Sequence, residues 1–306
     1  MARRWHRWFS APAPPERLAV VRVLVGGYAL VYLLGRLPHF LNVAGFVDDP
    51  RFDPVGVLWF LDRPLSEGAA RALVVAAPVA GVAFVAGWRW RISGPAFAVL
   101  FLVVTTYRNS FGQVWHTENL VALHLLVLAM APAAADALSL DHRRQRRPVP
   151  SSGPEHGMPL RICALVTVAA YVLSGYAKLR YGGFDWAAGE TLRNHVAHDN
   201  LRKALLGDPW SPLAAPALQV AWIFPPMAAA SLAVELVAPL ALFGARLRRA
   251  WIAAAWLFHV GVLALMAITF PYQLLGIAYA SMLPAERLLG WRRLVRPPPD
   301  PASISR

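Results

Sequence analysis

Lys178 stands out for its residue type. Of the thirty Lys and Arg residues in the chain, only Lys178 and Lys203 are lysine. Lys178 closes an apolar run that begins at Ile162. Arginine keeps its proton in any protein setting, whereas a desolvated lysine gives its proton up and can then act as a base. A lysine whose stem lies in apolar surroundings while its ammonium reaches an interface occupies the same kind of position, so a base and an interfacial anchor are both open. Ser174 and Tyr171 lie four and seven residues earlier and share its helical face.

Other polar groups sit in comparable places. His116, beside Trp115, opens a second apolar run, and His124 follows two turns later. Either His116 moves a proton or it belongs to an interfacial aromatic belt. Glu235, His259 and Gln273 fall within or at the start of later apolar runs, and Arg22 falls within the first. Such groups need a partner or a cavity if the runs lie in a bilayer. Arg22 is expected to avoid lipid and His259 to be hydrogen-bonded inside a bundle. Glu235 is expected to meet Arg22, Lys178 or a neighbouring helix. Were it to meet Lys178, the amine would be held charged.

The elements that position these residues follow from composition. The chain has 306 residues, of which 57% are hydrophobic and only 15% charged. From Ala250 to Ala285, 36 consecutive residues carry no Asp, Glu, Lys or Arg. A soluble core rarely needs such a run, and a bilayer does. The chain reads as an all-α integral membrane protein spanning a plasma or inner membrane several times. The net charge of +13 comes from short arginine clusters between apolar runs, which is a topology signal and not a nucleic-acid face. One cysteine, Cys163, excludes an intramolecular disulfide. The first apolar run is long for a signal peptide and holds Arg22, so it reads as the first transmembrane helix.

Eight apolar segments are expected, near 18–37, 70–88, 92–107, 117–137, 161–179, from Pro225-Pro226 to Phe243, and two that divide the charge-free stretch at Phe270-Pro271. With both termini cytoplasmic, nineteen of the thirty basic residues fall inside and ten in outer loops. The same topology puts His116 and Lys178 in the outer leaflet. The division is therefore a basic interfacial segment over 1–17, a transmembrane domain over 18–285, and a basic interfacial helix with a disordered tail over 286–306. In the second long outer loop, Trp186 precedes an amphipathic stretch from Gly189 to Leu206. Its His195, His198 and Asp199 have a spacing that could suit a metal, but they read as a solvated face, and no metal is expected.

The chain resembles the vitamin K-dependent gamma-carboxylase family, in particular its membrane part, the HTTM domain widespread in bacterial proteins. Several stretches carry the resemblance: Arg22-Val23-Leu24-Val25-Gly26, Trp90-Arg91-Ile92-Ser93, Trp115-His116-Thr117-Glu118-Asn119, Asp136-Ala137 with Ser139 to Asp141, and Phe258-His259 with Phe270-Pro271-Tyr272. The strongest is Tyr171-Val172-Leu173-Ser174-Gly175-Tyr176-Ala177-Lys178-Leu179, followed by Asp185-Trp186 and Gly189.

The resemblance implies a chemistry. In the carboxylase a lysine deprotonates reduced vitamin K, and oxygen then yields the epoxide and a base strong enough to take a proton from the γ-carbon of a glutamate, to which carbon dioxide adds. Lys178 matches that lysine, and His116 a histidine of the carboxylation half. The implied co-substrates are a reduced quinone (vitamin K or menaquinol), O2 and possibly CO2, and the implied partners are membrane lipid and a carbon-acid acceptor. Glu235, His259, Ser174, Tyr171, Arg22, His124, Trp186 and Gln273 are expected around the pair. The chain departs from the animal enzymes in having Trp before His116, Ala177 in place of a second lysine, and Glu235 where they have Asp. Those enzymes also continue into a large lumenal region, so the resemblance covers the membrane part alone. A non-catalytic quinone- or lipid-binding component, or a transport helper on the same fold, is the competing expectation.

Overall fold

A computed structural model describes residues 2–112, 114–146 and 148–290. Among these, the chain is all-helical, without strands. The α-helices are α1 (Ala2–Phe9), α2 (Pro15–Gly35), α3 (Leu37–Ala44), α4 (Glu67–Ala86), α5 (Trp90–Asn109), α6 (Asn119–Ala129), α7 (Leu140–Gln145), α8 (Pro154–Gly182), α9 (Glu190–Leu206), α10 (Ala214–Leu218), α11 (Phe224–Leu236), α12 (Ala245–Met266) and α13 (Pro271–Leu274). Among the described residues, five helical segments (α2, α4, α5, α8 and α12) are long and apolar enough to cross a membrane. Most of the expected basic segment after Glu286, and the whole tail beyond it, lie outside the described residues.

α2 is the centre of the bundle. Leu18, Val21, Val25, Ala29 and Leu33 recur every three or four residues and are all at most 1% exposed. Phe84 of α4, Phe97 and Phe101 of α5, Leu125 of α6 and Cys163 of α8 complete the core. The outer faces carry large apolar side chains in the open, such as Val31, Val79, Ile92 and Leu173. Lipid solvates such a surface as well as a protein core would.

The fourth, sixth and eighth apolar segments differ from expectation, because none is one long helix. α6 gives way to a 3-10 turn at Pro132–Ala135, and α11 to another at Ala238–Leu242. The eighth segment splits into α13 and a 3-10 stretch, Ile277–Met282, separated by Gly276 with φ of +74°. Proline supplies no backbone donor, and left-handed glycine ends a helix, so Pro132, Pro239 and Gly276 interrupt runs whose apolar composition continues.

Arg22 is fully buried, and its guanidinium donates to backbone carbonyls rather than to an acid: Ala134 at 2.6 Å and Leu138 at 2.7 Å, with the Trp90 ring 5.6 Å away. The Asp141 carboxylate accepts from the Arg89 and Trp90 amides at 2.9 and 2.8 Å, capping α5 from 52 and 51 residues away in sequence. Gly26 faces Phe84 so closely that a Cβ there would stand 2.5 Å from the ring. Three family stretches, around Arg22, Trp90 and Asp136 to Asp141, thus form one structural joint.

The stretch expected from Gly189 to Leu206 is α9, and it closes the end of α12. Asn200 donates to the Leu265 carbonyl at 2.9 Å and Lys203 to that of Met266 at 2.5 Å, while the Ser211 hydroxyl bonds that of Ala264. These carbonyls would otherwise end α12 without partners. The second lysine of the chain is therefore a helix cap, paired also with Asp199 at 2.8 Å.

Candidate functional site

α8 presents Tyr171, Ser174 and Lys178 along one face, and α11 lies against it. The close approach depends on Gly175, where a Cβ would stand 3.0 Å from the Glu235 Cβ. As a result Lys178 Nζ donates to Glu235 Oε1 at 2.8 Å, and the Ser174 hydroxyl donates to the same oxygen at 3.1 Å. The Glu235 side chain is 3% exposed and that of Lys178 17%. Arg22 does not reach Glu235, so of the expected partners it is Lys178 that the carboxylate meets.

Aromatic rings enclose the amine. After α8 the chain folds into a 3-10 stretch, Gly183–Ala188, ended by Gly189 at φ of +90°. A Cβ on Gly189 would meet the Pro225 nitrogen at 2.5 Å, so only glycine allows this stretch to pack on the start of α11. The packing sets the Trp186 ring 4.9 Å from Lys178 Nζ, with Phe258 of α12 at 5.4 Å. Two turns earlier on α8, the Tyr171 hydroxyl joins His259 Nε2 at 2.8 Å and the Tyr279 hydroxyl at 2.6 Å.

Two cavities meet at Lys178. The first, of about 710 Å³, is lined by His116, Tyr171, Ser174, Lys178, Glu235, His259 and Gln273 together with apolar side chains. Its rim includes exposed Leu123 and Leu173. Glu235 Oε2, His259 Nδ1 and Gln273 Oε1 are buried without a hydrogen-bond partner, a costly state for three polar atoms in one cavity wall. The second cavity, of about 520 Å³, is walled by Met227, Val234, Leu257, Leu265 and other apolar side chains, with Trp186 and His195. Lys178, Phe258 and Val262 line both.

His116 reaches the first cavity from the turn before α6, not from the helix itself, and is exposed. The Phe270 ring lies 6.1 Å from its ring and 4.9 Å from that of His259. Four residues that sequence reasoning did not weigh hold this turn. Asn109 exchanges two hydrogen bonds with the Trp115 backbone, at 2.9 and 3.0 Å. Arg108 pairs with Glu118 at 2.9 Å in a buried ion pair, and the Tyr32 hydroxyl donates to the same carboxylate oxygen. The available signal was an Arg-Asn pair ending an otherwise apolar helix.

Seven of the ten expected residues therefore share one cavity, and Trp186 adjoins it. Arg22 and His124 do not. His124 is 1% exposed and saturated by the Tyr272 hydroxyl at 2.7 Å and by the Cys163 carbonyl and Thr167 hydroxyl at 3.1 Å, a knot joining α6, α8 and α13. No group of three or more potential metal ligands occurs among the described residues, and His198 does not line either cavity.

The HTTM domain model matches residues 10–283, so the chain belongs to the HTTM domain family. Its likeness to vitamin K-dependent carboxylases holds at the level of that family. With five long apolar helices and this domain, it is a membrane protein. No curated protein and no solved structure matches the chain.

Proposed function

We propose that the chain is a quinol-dependent oxygenase of the gamma-carboxylase type, with Lys178 as the base and His116 serving the carboxylation half. The observation that carries this reading is the position of Lys178, whose amine faces an apolar cavity on one side and a cavity holding His116, His259, Tyr171 and Gln273 on the other. A reduced quinone such as menaquinol or vitamin K, when bound, would supply the driving chemistry: quinol and O2 give epoxide and water, while a carbon acid and CO2 give a carboxylate and a proton.

The chain's own groups fit that task. The apolar cavity suits a quinone ring and prenyl chain, and its exposed Leu257 offers a way in from lipid. Lys178 Nζ takes a hydroxyl proton, and the faces of Trp186 and Phe258 stabilise the resulting ammonium. The amine is free to take that proton once its own has passed to Glu235 Oε1, 2.8 Å away, which exchanges the ion pair for a neutral amine and a carboxylic acid. The apolar walls keep water from quenching a strong base. The unpartnered Glu235 Oε2 and Gln273 Oε1 can accept hydrogen bonds from a polar substrate, and His259 Nδ1 can donate or accept one according to its tautomer. The distribution of basic residues supports a site in the outer leaflet of a plasma or inner membrane.

One observation favours a second reading. The amine is already engaged by the Glu235 carboxylate at 2.8 Å, which suits a non-catalytic quinone- or lipid-binding component. One experiment separates the two. Full-length protein in nanodiscs is supplied with reduced menaquinone and O2, and quinone epoxide is followed by mass spectrometry. Wild type should form epoxide, and Lys178→Ala and Lys178→Arg should not. Bound quinone with equally little epoxide from all three proteins would establish the binding component instead.

A further inference from the structure

At the opposite end of α8 lies a second polar cavity, of about 650 Å³, which the proposed chemistry does not use. Arg161 is 17 residues before Lys178, so the two ends are about 25 Å apart at 1.5 Å per residue. Five arginines line this cavity: Arg17 from α2, Arg161 from α8, Arg248 and Arg249 from α12, and Arg287. Among the described residues, no acidic side chain lines it. Glu286, just outside, is committed to Arg17 through two hydrogen bonds at 2.7 and 2.8 Å. Arg161, Arg248 and Arg249 form no ion pair among the described residues. The Nη1 of Arg161 is buried without a hydrogen-bond partner, and its guanidinium stacks 5.8 Å from the Trp8 ring.

A topology signal needs arginines only somewhere in a loop, spread apart and solvated. Here separate segments bring guanidinium groups into one concavity, where like charges repel unless an anion compensates them. The first turn of α12, at Ala245, also opens there with its free amides. Arginine forks match the oxygens of a phosphate, and tryptophan favours the boundary between headgroup and acyl chain.

We propose that this cavity is a binding site for a phosphate oxyanion, carried by an anionic phospholipid headgroup or by free inorganic phosphate. Either source meets the same guanidinium groups, and only the lipid also engages the apolar surface around Trp8, Leu242 and Phe243.

The test is thermal unfolding of the full-length protein in detergent. Added ligands are cardiolipin, phosphatidylcholine or inorganic phosphate. The proteins are wild type, a cavity variant Arg161→Gln/Arg248→Gln, and a charge-matched variant Arg143→Gln/Arg144→Gln on exposed α7. Cardiolipin should raise the melting temperature of wild type and of the α7 variant by several degrees, with most of the shift lost in the cavity variant and none produced by phosphatidylcholine. An equal, arginine-dependent shift with inorganic phosphate alone would assign the site to the free ion. Equal cardiolipin shifts in all three proteins would reduce the effect to general charge and overturn the site, as would no shift in any. Should the double variant not fold, Arg249→Gln, at an exposed position, must still diminish the shift.

Discussion

Lys178 and Glu235, 57 residues apart in the chain, are joined at 2.8 Å between α8 and α11. The carboxylate is nearly inaccessible and its second oxygen has no partner, while the amine keeps limited access to two cavities. The pair is thus a joint between two helices that also borders both cavities. A buried ion pair contributes little net stability, because desolvation offsets attraction, but losing one partner strands the other.

The first prediction follows from that asymmetry. Lys178→Met should destabilise the protein by about 3 kcal/mol, since it leaves the Glu235 carboxylate buried against Ser174 alone. Adding Glu235→Leu should recover part of the loss, as the apolar pair needs no compensation. Unfolding in detergent of both single variants and the double variant measures the coupling. Strictly additive losses would show that the two side chains do not depend on each other.

Gly175→Ala is expected to damage the site without touching a polar group. The new Cβ would meet the Glu235 Cβ and the Leu236 Cδ2 at 3.0 Å, pressing α11 away from α8. Overpacking of this kind costs about 1–3 kcal/mol. The informative readout is epoxide formation relative to quinone binding: the variant should still bind quinone, through the apolar cavity, yet turn over poorly. Full activity at reduced stability would mean that the Lys178–Glu235 distance is not critical.

Much of this arrangement was legible in the sequence, for a physical reason. One of only two lysines in an arginine-rich chain, and carboxyl or imidazole groups in apolar runs, are conspicuous enough to declare themselves. The choice of partners was not legible. Glu235 had two cations available on sequence grounds, and the small volume of Gly175 is what brings it to Lys178. Arg22 could not be matched to its true partners, because the carbonyls of Ala134 and Leu138 carry no side-chain signal. Segment lengths misled in the fourth, sixth and eighth runs, where apolar composition continues through 3-10 turns. The Arg108–Glu118 pair escaped because each residue sits at the edge of its apolar run, where charge is ordinary.

Arg22 supports a prediction on stability alone. Its fork spans carbonyls on two sides of one turn, a geometry that a lysine ammonium cannot reproduce. Arg22→Lys should therefore destabilise by about 2–4 kcal/mol despite keeping the charge, and Arg22→Ala by at least as much. Quinone affinity of the folded fraction should be unchanged, since Arg22 lines neither cavity at Lys178. Weakened quinone binding in folded Arg22→Lys protein would tie this joint to the site.

The last prediction concerns acid. Hydrogen bonds from Arg17 to both oxygens hold the Glu286 carboxyl below its ordinary value, with partial burial opposing them. A depressed native pKa means that this contact contributes fully above the unfolded carboxylate value of about 4.3 and is lost as the pH falls through the lower native one. Both side chains are about a quarter exposed, so the contribution is about 1 kcal/mol or less. Wild type should melt slightly above Glu286→Gln at pH 7, and the two should converge as the pH drops below the ordinary carboxylate range. Acid should also leave Arg17 without its counter-charge beside four other arginines, so phosphate-bearing lipid should stabilise wild type more under acid than at pH 7, with Glu286→Gln showing the larger effect at pH 7 and the two proteins matching under acid. A melting difference that persists unchanged in acid would assign the contact to packing of the two side chains, not to their charges.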